Sequence, residues 1–505
     1  MAQGLLQSLL SPNNQNVPFT WFIGLGLIVV FLFFRIRDPL RNIPGPFWAR
    51  WTPWWNVYYA RKGNMHRTMM AMHKKYGTLV RTAPNEVSTA NPDALTIIYG
   101  AGTAFRKSDW YSVWQGTRKW DLFSERSEEI HRNQRRLVSN IYSLSNMKKL
   151  EPYVNKAVSV FINKMSEMKD QQINMSYWIQ LFGFDVIGEV TFSKQFGFME
   201  SGKDDGAFSM IDNSLRSAAW SGYVPWLYWI NAKLTPIIGN HLAVTARQGS
   251  LLTMAAKSIS ERKERGSAHA DILGQLFEIQ KEKPILDDIS VTSMVASNIF
   301  AGSDSTAISI SSVVYYVVRN AESKRKLLAE VDATAKENNL AAGGVFNLEM
   351  ANSMPYLQAV MWEAMRLHPA IGMNLGRRVP DGGVTIDGQY FPGGMNLSIN
   401  GWVINRDKKT FGEDADEFRP ERWMEDAERV GQMRRIFFSF GAGSRYCLGR
   451  NIAWLEMSKL VPTLFHNFDI ELVNPNLTMK ERTISFVKVD HLFVTMKARN
   501  KTAEN

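Results

Sequence analysis

The stretch FSFGAGSRYCLGR, Phe438 to Arg450, holds the only cysteine in a chain of 505 residues. Three glycines, two arginines and three aromatic rings surround that sulfur. A thiolate is stabilised by backbone N–H groups and by a helix N-terminus. Gly443 and Gly449 permit a tight loop whose amides turn toward the sulfur. The run LGRNIAWLEMSKLVPTLFHNF then reads as a helix beginning at Cys447. An anionic sulfur presented in this way suits the axial position of a haem iron, where it pushes electron density into the metal and favours O–O cleavage. Arg445, two residues before it, is placed to pair with a haem propionate. A lone cysteine is more often a small buried hydrophobe, but that leaves the glycines and arginines around it without a role.

Other stretches carry weaker chemistry. EAMR puts Glu363 and Arg366 at i, i+3 on a helix, where they face each other, and FRPERW supplies Arg422 further on. E-x-x-R alone also occurs on solvated helix faces. AGSDST, Ala301 to Thr306, sets Gly302, an acid and three hydroxyls inside an otherwise apolar run. Glycine in a helix interior costs about 1 kcal/mol relative to alanine, so Gly302 is expected to serve a purpose. The hydroxyls could equally bond back to carbonyls one turn earlier. HRNQR, with His131 and Arg135, reads by itself as a surface helix.

The elements that position these residues follow from pattern. Residues 1–34 carry no charged side chain, and Val17 to Phe34 is an apolar run of 18 residues, just long enough to span a bilayer. Arg35, Arg37 and Arg41 follow, so the positive-inside rule places the rest of the chain in the cytoplasm. The positive leader and small-residue cleavage site of a signal peptide are missing, which favours an uncleaved anchor. Ile43-Pro44-Gly45-Pro46 cannot continue a helix and makes a stiff elbow. YGTLVRTAPNEVSTANP reads as two short strands, and residues from about 128 to 330 as mostly helix. Within that region ERKERGSAHAD is expected to be a solvated loop. Ile289 to Asn320 is expected to be one long helix through the core, its Ser293, Asn298, Asp304 and Ser305 arguing against a second membrane span. VPDGGVTIDGQYFPGGMNLSIN returns to short strands and Gly-rich turns. The predicted fold class is α+β, mostly α, with small sheets. The predicted organisation is a lumenal segment 1–16, an anchor 17–34, an elbow 35–50 and one large catalytic domain 51–505.

Composition sets the outer bounds. At 45% hydrophobic and 21% charged, the chain is not disordered, and one cysteine excludes a disulfide scaffold. The net charge of +11 comes without a basic run interleaved with aromatics, so nucleic acid is not the expected partner. Anionic lipid or an acidic protein suits it better.

Taken together, the sequence resembles the cytochrome P-450 superfamily. The cysteine-loop pattern of that family, F-x-x-G-x-R-x-C-x-G, is matched by Phe440, Gly443, Arg445, Cys447 and Gly449. HKKYGTLVRTAPNEVSTANPDALTIIYG, FRKSDWY and NIYSLSNMKKLEPYV are similar to fungal microsomal members of the pisatin demethylase-like type. The resemblance implies the cytochrome P-450 fold and haem b with Cys447 as axial ligand of the iron. It also joins Glu363, Arg366 and Arg422 into a buried ion triad. Ala301 and Gly302 would line an oxygen groove, and Asp304 with Ser305 or Thr306 would relay protons; Ser305 stands where the family usually has threonine. The family's W-x-x-x-R pair for a propionate becomes His131 and Arg135, with Arg377 a third donor and its neighbour Arg378 an alternative.

The function implied is a haem-thiolate monooxygenase of the endoplasmic reticulum membrane, acting with O2 on a lipophilic terpenoid, polyketide or alkaloid in fungal secondary metabolism. Electrons would come from NADPH through NADPH–cytochrome P-450 reductase, with cytochrome b5 a further candidate donor. The aromatic stretch Trp220 to Trp229 would touch membrane lipid beside the substrate entrance. Two rival readings are a haem-thiolate isomerase or dehydratase on the same scaffold and a non-catalytic haem sensor.

Overall fold

The structure is a computed structural model that describes residues 21–26, 29, 36–116, 120–239 and 246–499, with the backbone alone for 246–251. Most of the expected anchor, 17–34, lies outside the described residues. Among those described, no helix is long and apolar enough to cross a membrane. The proline elbow is pinned to the body: Pro44 accepts the Arg81 N–H at 2.8 Å, and the Arg81 guanidinium pairs with Asp38.

The alternating stretch after the elbow forms the antiparallel pair β1 (Leu79–Ala83) and β2 (Glu86–Thr89). A short strand, β3 (Arg106–Lys107), follows. Helix α1 (Glu128–Val138) starts where the Ser127 hydroxyl accepts the Ile130 N–H. After β4 (Gln172–Asn174) comes α2 (Met175–Phe192), apolar and buried nearly all round. Next are α3 (Ala207–Ser221), α4 (Pro225–Ile238) and α5 (Ala246–Arg265). The long apolar run forms α6 (Asp288–Arg319), 32 residues capped by Asp287, and α7 (Pro355–Leu367) carries EAMR. Four short strands follow: β5 (Arg377–Arg378), β6 (Val384–Ile386), β7 (Gln389–Phe391) and β8 (Asn396–Ser398). The chain ends with α8 (Arg450–Asn467), β9 (Phe468–Leu472), β10 (Lys480–Thr483), β11 (Val487–Asp490) and β12 (Phe493–Ala498).

One sheet has the order β1-β2-β8-β5-β3, with Glu86 opposite Asn396 in its one parallel pairing, β2–β8. A second, β4-β12-β9, joins the middle of the chain to its end, and β10–β11 and β6–β7 are hairpins. Helix α6 runs through the core against α2, α5, α7 and α8. It meets α2 at a glycine-mediated crossing. A Cβ on Gly183 would stand 2.7 Å from the Ser303 carbonyl oxygen, and one on Gly302 would run into Ile187. The purpose of Gly302 is therefore at least this close approach, and the helix continues through AGSDST without a break.

The structure refines three expectations. Helix α8 begins at Arg450, with Cys447 in the turn before it. The ERKERGSAHAD stretch is a solvated loop only from 266 to 270: its first five residues finish α5, which extends through Arg265, and Arg262 forms a buried ion pair with Asp271 at 2.6 Å. Asp271 also caps the next helix by accepting the Gly274 N–H at 2.7 Å, which explains why a charged residue is buried there. The Trp220–Trp229 stretch is the end of α3, a short turn and the start of α4, and its exposed apolar face continues along α4 through Trp226, Ile230, Leu234 and Ile237.

Candidate active site

The cysteine loop is held by its own backbone. The Cys447 N–H donates to the Phe440 carbonyl at 2.9 Å. Gly443 has φ +60°, and a Cβ there would collide with the Tyr99 carbonyl, so the loop lies directly on the C-terminal end of the helix Pro92–Tyr99. The amides of Gly449 and Arg450, at the start of α8, face the sulfur. Cys447 keeps exposed surface although protein encloses it. Desolvation is the largest influence on the thiol and pushes its pKa up, against the pull of those amides and of Arg135. A metal cation at the sulfur would reverse that balance. Gly449 needs neither a positive φ nor a tight fit, since no atom lies within 4 Å of where its Cβ would stand.

Five basic side chains from four segments converge near this loop: Lys107 on β3, His131 and Arg135 on α1, Arg377 on β5, and Arg445. Burial, then the charges of Arg445, Lys107, Arg135 and Arg377, push the His131 pKa down to about 2. HRNQR is thus no surface helix at His131, which is buried. Burial first, then Arg377 and Arg445, hold Lys107 well below its ordinary value. Its ammonium donates to the Phe123 carbonyl and lies 4.5 Å from the Tyr111 ring centre. Arg377 and Arg378 differ in burial. Arg377 is buried over the Tyr99 ring at 4.7 Å, whereas Arg378 is 46% exposed and reaches Asp109 at 3.9 Å. Arg445 is engaged within the protein, pairing with Glu128 at 2.7 Å and donating to the Glu125 carbonyl at 2.7 Å. A soft thiolate, a group of mutually repelling cations and open space at Gly449 fit a flat, dianionic iron macrocycle.

Behind the loop, Glu363, Arg366 and Arg422 lie together with no exposed side-chain surface. Glu363 is 2.8 Å from Arg366 and 2.9 Å from Arg422, and accepts from Trp423 Nε1 at 2.8 Å and from the Arg419 N–H at 3.0 Å. Burial alone would raise its pKa, but the hydrogen bonds and charge of Arg366, with Arg422 and the Arg419 amide, hold it below the ordinary value. On α6 the six residues of AGSDST separate. Ala301, Gly302 and Ser305 keep part of their surface open, whereas Ser303, Asp304 and Thr306 are buried. The Ser305 hydroxyl donates back to the Ala301 carbonyl at 2.6 Å. Asp304 instead accepts from Gln180 Nε2 at 2.6 Å and lies 3.1 Å from Lys488 Nζ.

Comparison with known proteins identifies the family. The cytochrome P450 family model matches residues 44–493. The chain belongs to the cytochrome P450 family. It is similar to the cytochrome P450 monooxygenase hepC of Aspergillus oryzae, 38% identical over 482 residues that cover 92% of this chain and 94% of that protein. It is similar to the cytochrome P450 monooxygenase cicH of Emericella nidulans, 33% identical over 497 residues, 95% of this chain and 98% of that protein. The pisatin demethylase of Fusarium vanettenii is 35% identical over 487 residues, 94% of this chain and 92% of that protein. As a cytochrome P450 monooxygenase the protein is an oxidoreductase, and its family implies a haem-iron cofactor and a redox partner. Within this P450, sequence reasoning missed Lys107, Glu128 and Lys488. Lys107 stood inside the quoted FRKSDWY, where a lysine beside an arginine before aromatic residues was the available signal.

Proposed function

We propose that this cytochrome P450 is a fungal haem-thiolate monooxygenase that inserts one oxygen atom of O2 into a lipophilic small molecule of secondary metabolism and releases the other as water. The observation that carries the reading is Cys447, set before α8 with the Gly449 and Arg450 amides facing its sulfur. When bound, haem supplies the activation of oxygen. Cys447 would hold its iron, and Lys107, His131, Arg135, Arg377 and Arg445 would hold its propionates. Glu363, Arg366 and Arg422 would brace the loop from behind. Asp304 would take up protons and Ser305 would pass them on. Ser305 is favoured over Thr306 because it retains open surface while Thr306 is buried, and a hydroxyl that donates to Ala301 still has lone pairs to accept a proton.

The balance of the proposed reaction needs two electrons and two protons for each O2. NADPH–cytochrome P-450 reductase would supply the electrons, with cytochrome b5 a further donor. Residues 17–34 would anchor the protein in the endoplasmic reticulum membrane, 35–50 would form the elbow, and 51–505 the catalytic domain. The exposed apolar face of α4 supports a second contact with lipid. A terpenoid, polyketide or alkaloid is the substrate class of this reading, and its support is the resemblance to fungal members of the pisatin demethylase-like type.

The test is spectroscopic and kinetic. Reduced holoprotein with CO should show the red-shifted Soret band of thiolate ligation, and Cys447→Ala should lose it. With reductase and NADPH, an isomerase or sensor would consume no NADPH. Retention of the band in Cys447→Ala would refute the ligand assignment, and NADPH-independent turnover would refute the monooxygenase reading.

A further inference from the structure

Glu86 opens β2, and its carboxylate is enclosed by protein. The Thr82 hydroxyl on β1 donates to Oε1 at 3.0 Å, and the side-chain amide of Asn374, just before β5, approaches as a second donor. Among the described residues no cation pairs with it. No aligned hydrogen bond reaches Oε2, yet that oxygen is not sealed off: it keeps accessible surface, and the residue is only half-buried. Accessible surface on so enclosed a group belongs to an interior space. Cys447 shows the same combination. The bond from Thr82 braces the β1–β2 turn but uses one oxygen only. It leaves a second oxygen and a negative charge without a partner, and a charge taken out of water is costly unless something pairs with it.

The neighbours place that space. Tyr99 lies close enough to feel the charge of Glu86, and the same ring carries Arg377 at 4.7 Å. Tyr223, in the turn between α3 and α4, also feels it, together with Tyr111, whose ring meets Lys107 at 4.5 Å. Glu86 therefore stands on the side of the site where Lys107 and Arg377 gather, facing the α3–α4 turn. Around Asn374 and Tyr223 the packing is apolar, with Met69, Met373, Ala219 and Trp220. One open carboxylate oxygen in apolar surroundings is the pattern by which a lipophilic site fixes the orientation of its ligand.

We propose that Glu86 is a specificity-determining residue, and that the substrate is an apolar molecule with a hydroxyl or a protonated amine at one end, which donates a hydrogen bond to Glu86 Oε2. It rests on the monooxygenase reading and adds the polar group that the lipophilic substrate carries. The donor end lies on the Arg377 side, which leaves the apolar body to extend toward the open surface of Ala301, Gly302 and Ser305. A donor replaces the water that the carboxylate has lost, and a protonated amine also brings the missing cation. A methylated analogue can only accept, so it leaves Oε2 unpaired and is rejected.

Burial raises the Glu86 pKa to about 7, opposed by Thr82 and Asn374. The groups facing it are Thr82 from β1, Asn374, Tyr99 and Tyr223, and burial pushes both phenols up and away from neutrality. Glu86 is thus the member of this group that changes charge near pH 7.

The test uses full-length holoenzyme and three probes of one chain length: N,N-dimethyloctylamine, 1-octanol and 1-methoxyoctane, with affinity measured by calorimetry. The wild type should bind the amine about 10-fold or more, and the alcohol about 3-fold, more tightly than the ether. Glu86→Gln should remove most of the preference for the amine and leave the ether unchanged. In the wild type that preference should grow between about pH 6 and pH 8, as Glu86 loses its proton, and it should be flat in Glu86→Gln. Whichever of amine and alcohol binds more tightly at the upper pH identifies the donor for which the site is built. Equal affinity for all three probes, no binding of any of them, or a Glu86→Gln variant that lowers Tm and keeps the wild-type ratios would reduce Glu86 to a brace of the β1–β2 turn and overturn the proposal. If Glu86→Gln does not fold, the wild-type pH series decides alone. The monooxygenase reading fails separately, through the reduced CO band or NADPH use, while the donor preference stands; loss of the preference with both intact sinks Glu86 alone.

Discussion

Replacing Glu363 by alanine removes the acceptor for five hydrogen bonds, two from Arg366 and one each from Arg422, Trp423 and the Arg419 amide. The losses are unequal. Arg422 keeps Asp414 at 3.1 Å, but Arg366 retains only the carbonyls of Asn405, Ala415 and Glu417. One guanidinium is thus left in the core without a carboxylate. Breaking a buried pair in this way costs about 3–5 kcal/mol. With an unfolding entropy near 2.1 cal/mol/K per residue, a cooperative unit of this length loses about 1 °C of Tm per kcal/mol, so Tm should fall by about 3–5 °C. The assay is calorimetry of purified protein together with haem content per chain, and the expected result is a low haem fraction as well as the lower Tm. A pH series adds a sign. The folded pKa of Glu363 lies below its ordinary 4.5, so its stabilisation is fully present above that pH and is lost as pH falls through the folded value. The gap between wild type and Glu363→Gln should therefore hold near pH 7 and close in acid. Wild-type Tm and haem content in Glu363→Ala would refute the argument that this carboxylate compensates the buried arginines.

Two further outcomes follow from burial and spacing. Arg377→Gln should speed haem transfer to an acceptor protein about 10-fold or more, since a charge-assisted hydrogen bond contributes about 1.5–3 kcal/mol, whereas Arg378→Gln should leave the rate unchanged because its head group is exposed; equal rates in both variants would contradict the placement. Gly302→Ala should lower Tm because its Cβ would run into Ile187, an overpacking cost of about 1–3 kcal/mol against about 1 kcal/mol of helix propensity gained; Ile187→Val should rescue it, and a stabilised single variant would show that the crossing has room.

The cysteine loop was legible because its constraints are local: a positive-φ glycine, a nucleophile and a helix start within ten residues. The length of α6 was legible for a similar reason, because an all-round apolar run of that length has few other solutions. Glu363 and Arg366 could be paired from helix spacing, but Arg422 could be joined to them only through the family resemblance. What the sequence concealed is charge buried by partners far along the chain. Lys488 sits between two valines on a strand buried on both faces, so alternation gave no sign of where it points. Glu128, which occupies Arg445, is 317 residues from it. Most of ERKERGSAHAD is solvated, as a charged run usually is, but the burial of Arg262 within it depends on one aspartate nine residues later that also caps a helix. Helix α8 was placed three residues early because Gly449 leaves the cysteine turn outside the regular hydrogen-bond ladder.

The sheet β4-β12-β9 has a consequence for how the protein is made. Strand β4 cannot find β12 until about 320 further residues have been synthesised, roughly 15–65 s of translation at about 5–20 residues per second. Lys488 reaches Asp304 only in the same final stage. During that interval the nascent chain holds α2 and α6 without the strands that close over them, and their apolar faces are available to chaperones or to aggregation. Ribosome pausing or a stop codon ahead of residue 488 would therefore release a chain that contains the whole cysteine motif and still lacks the last wall of its interior.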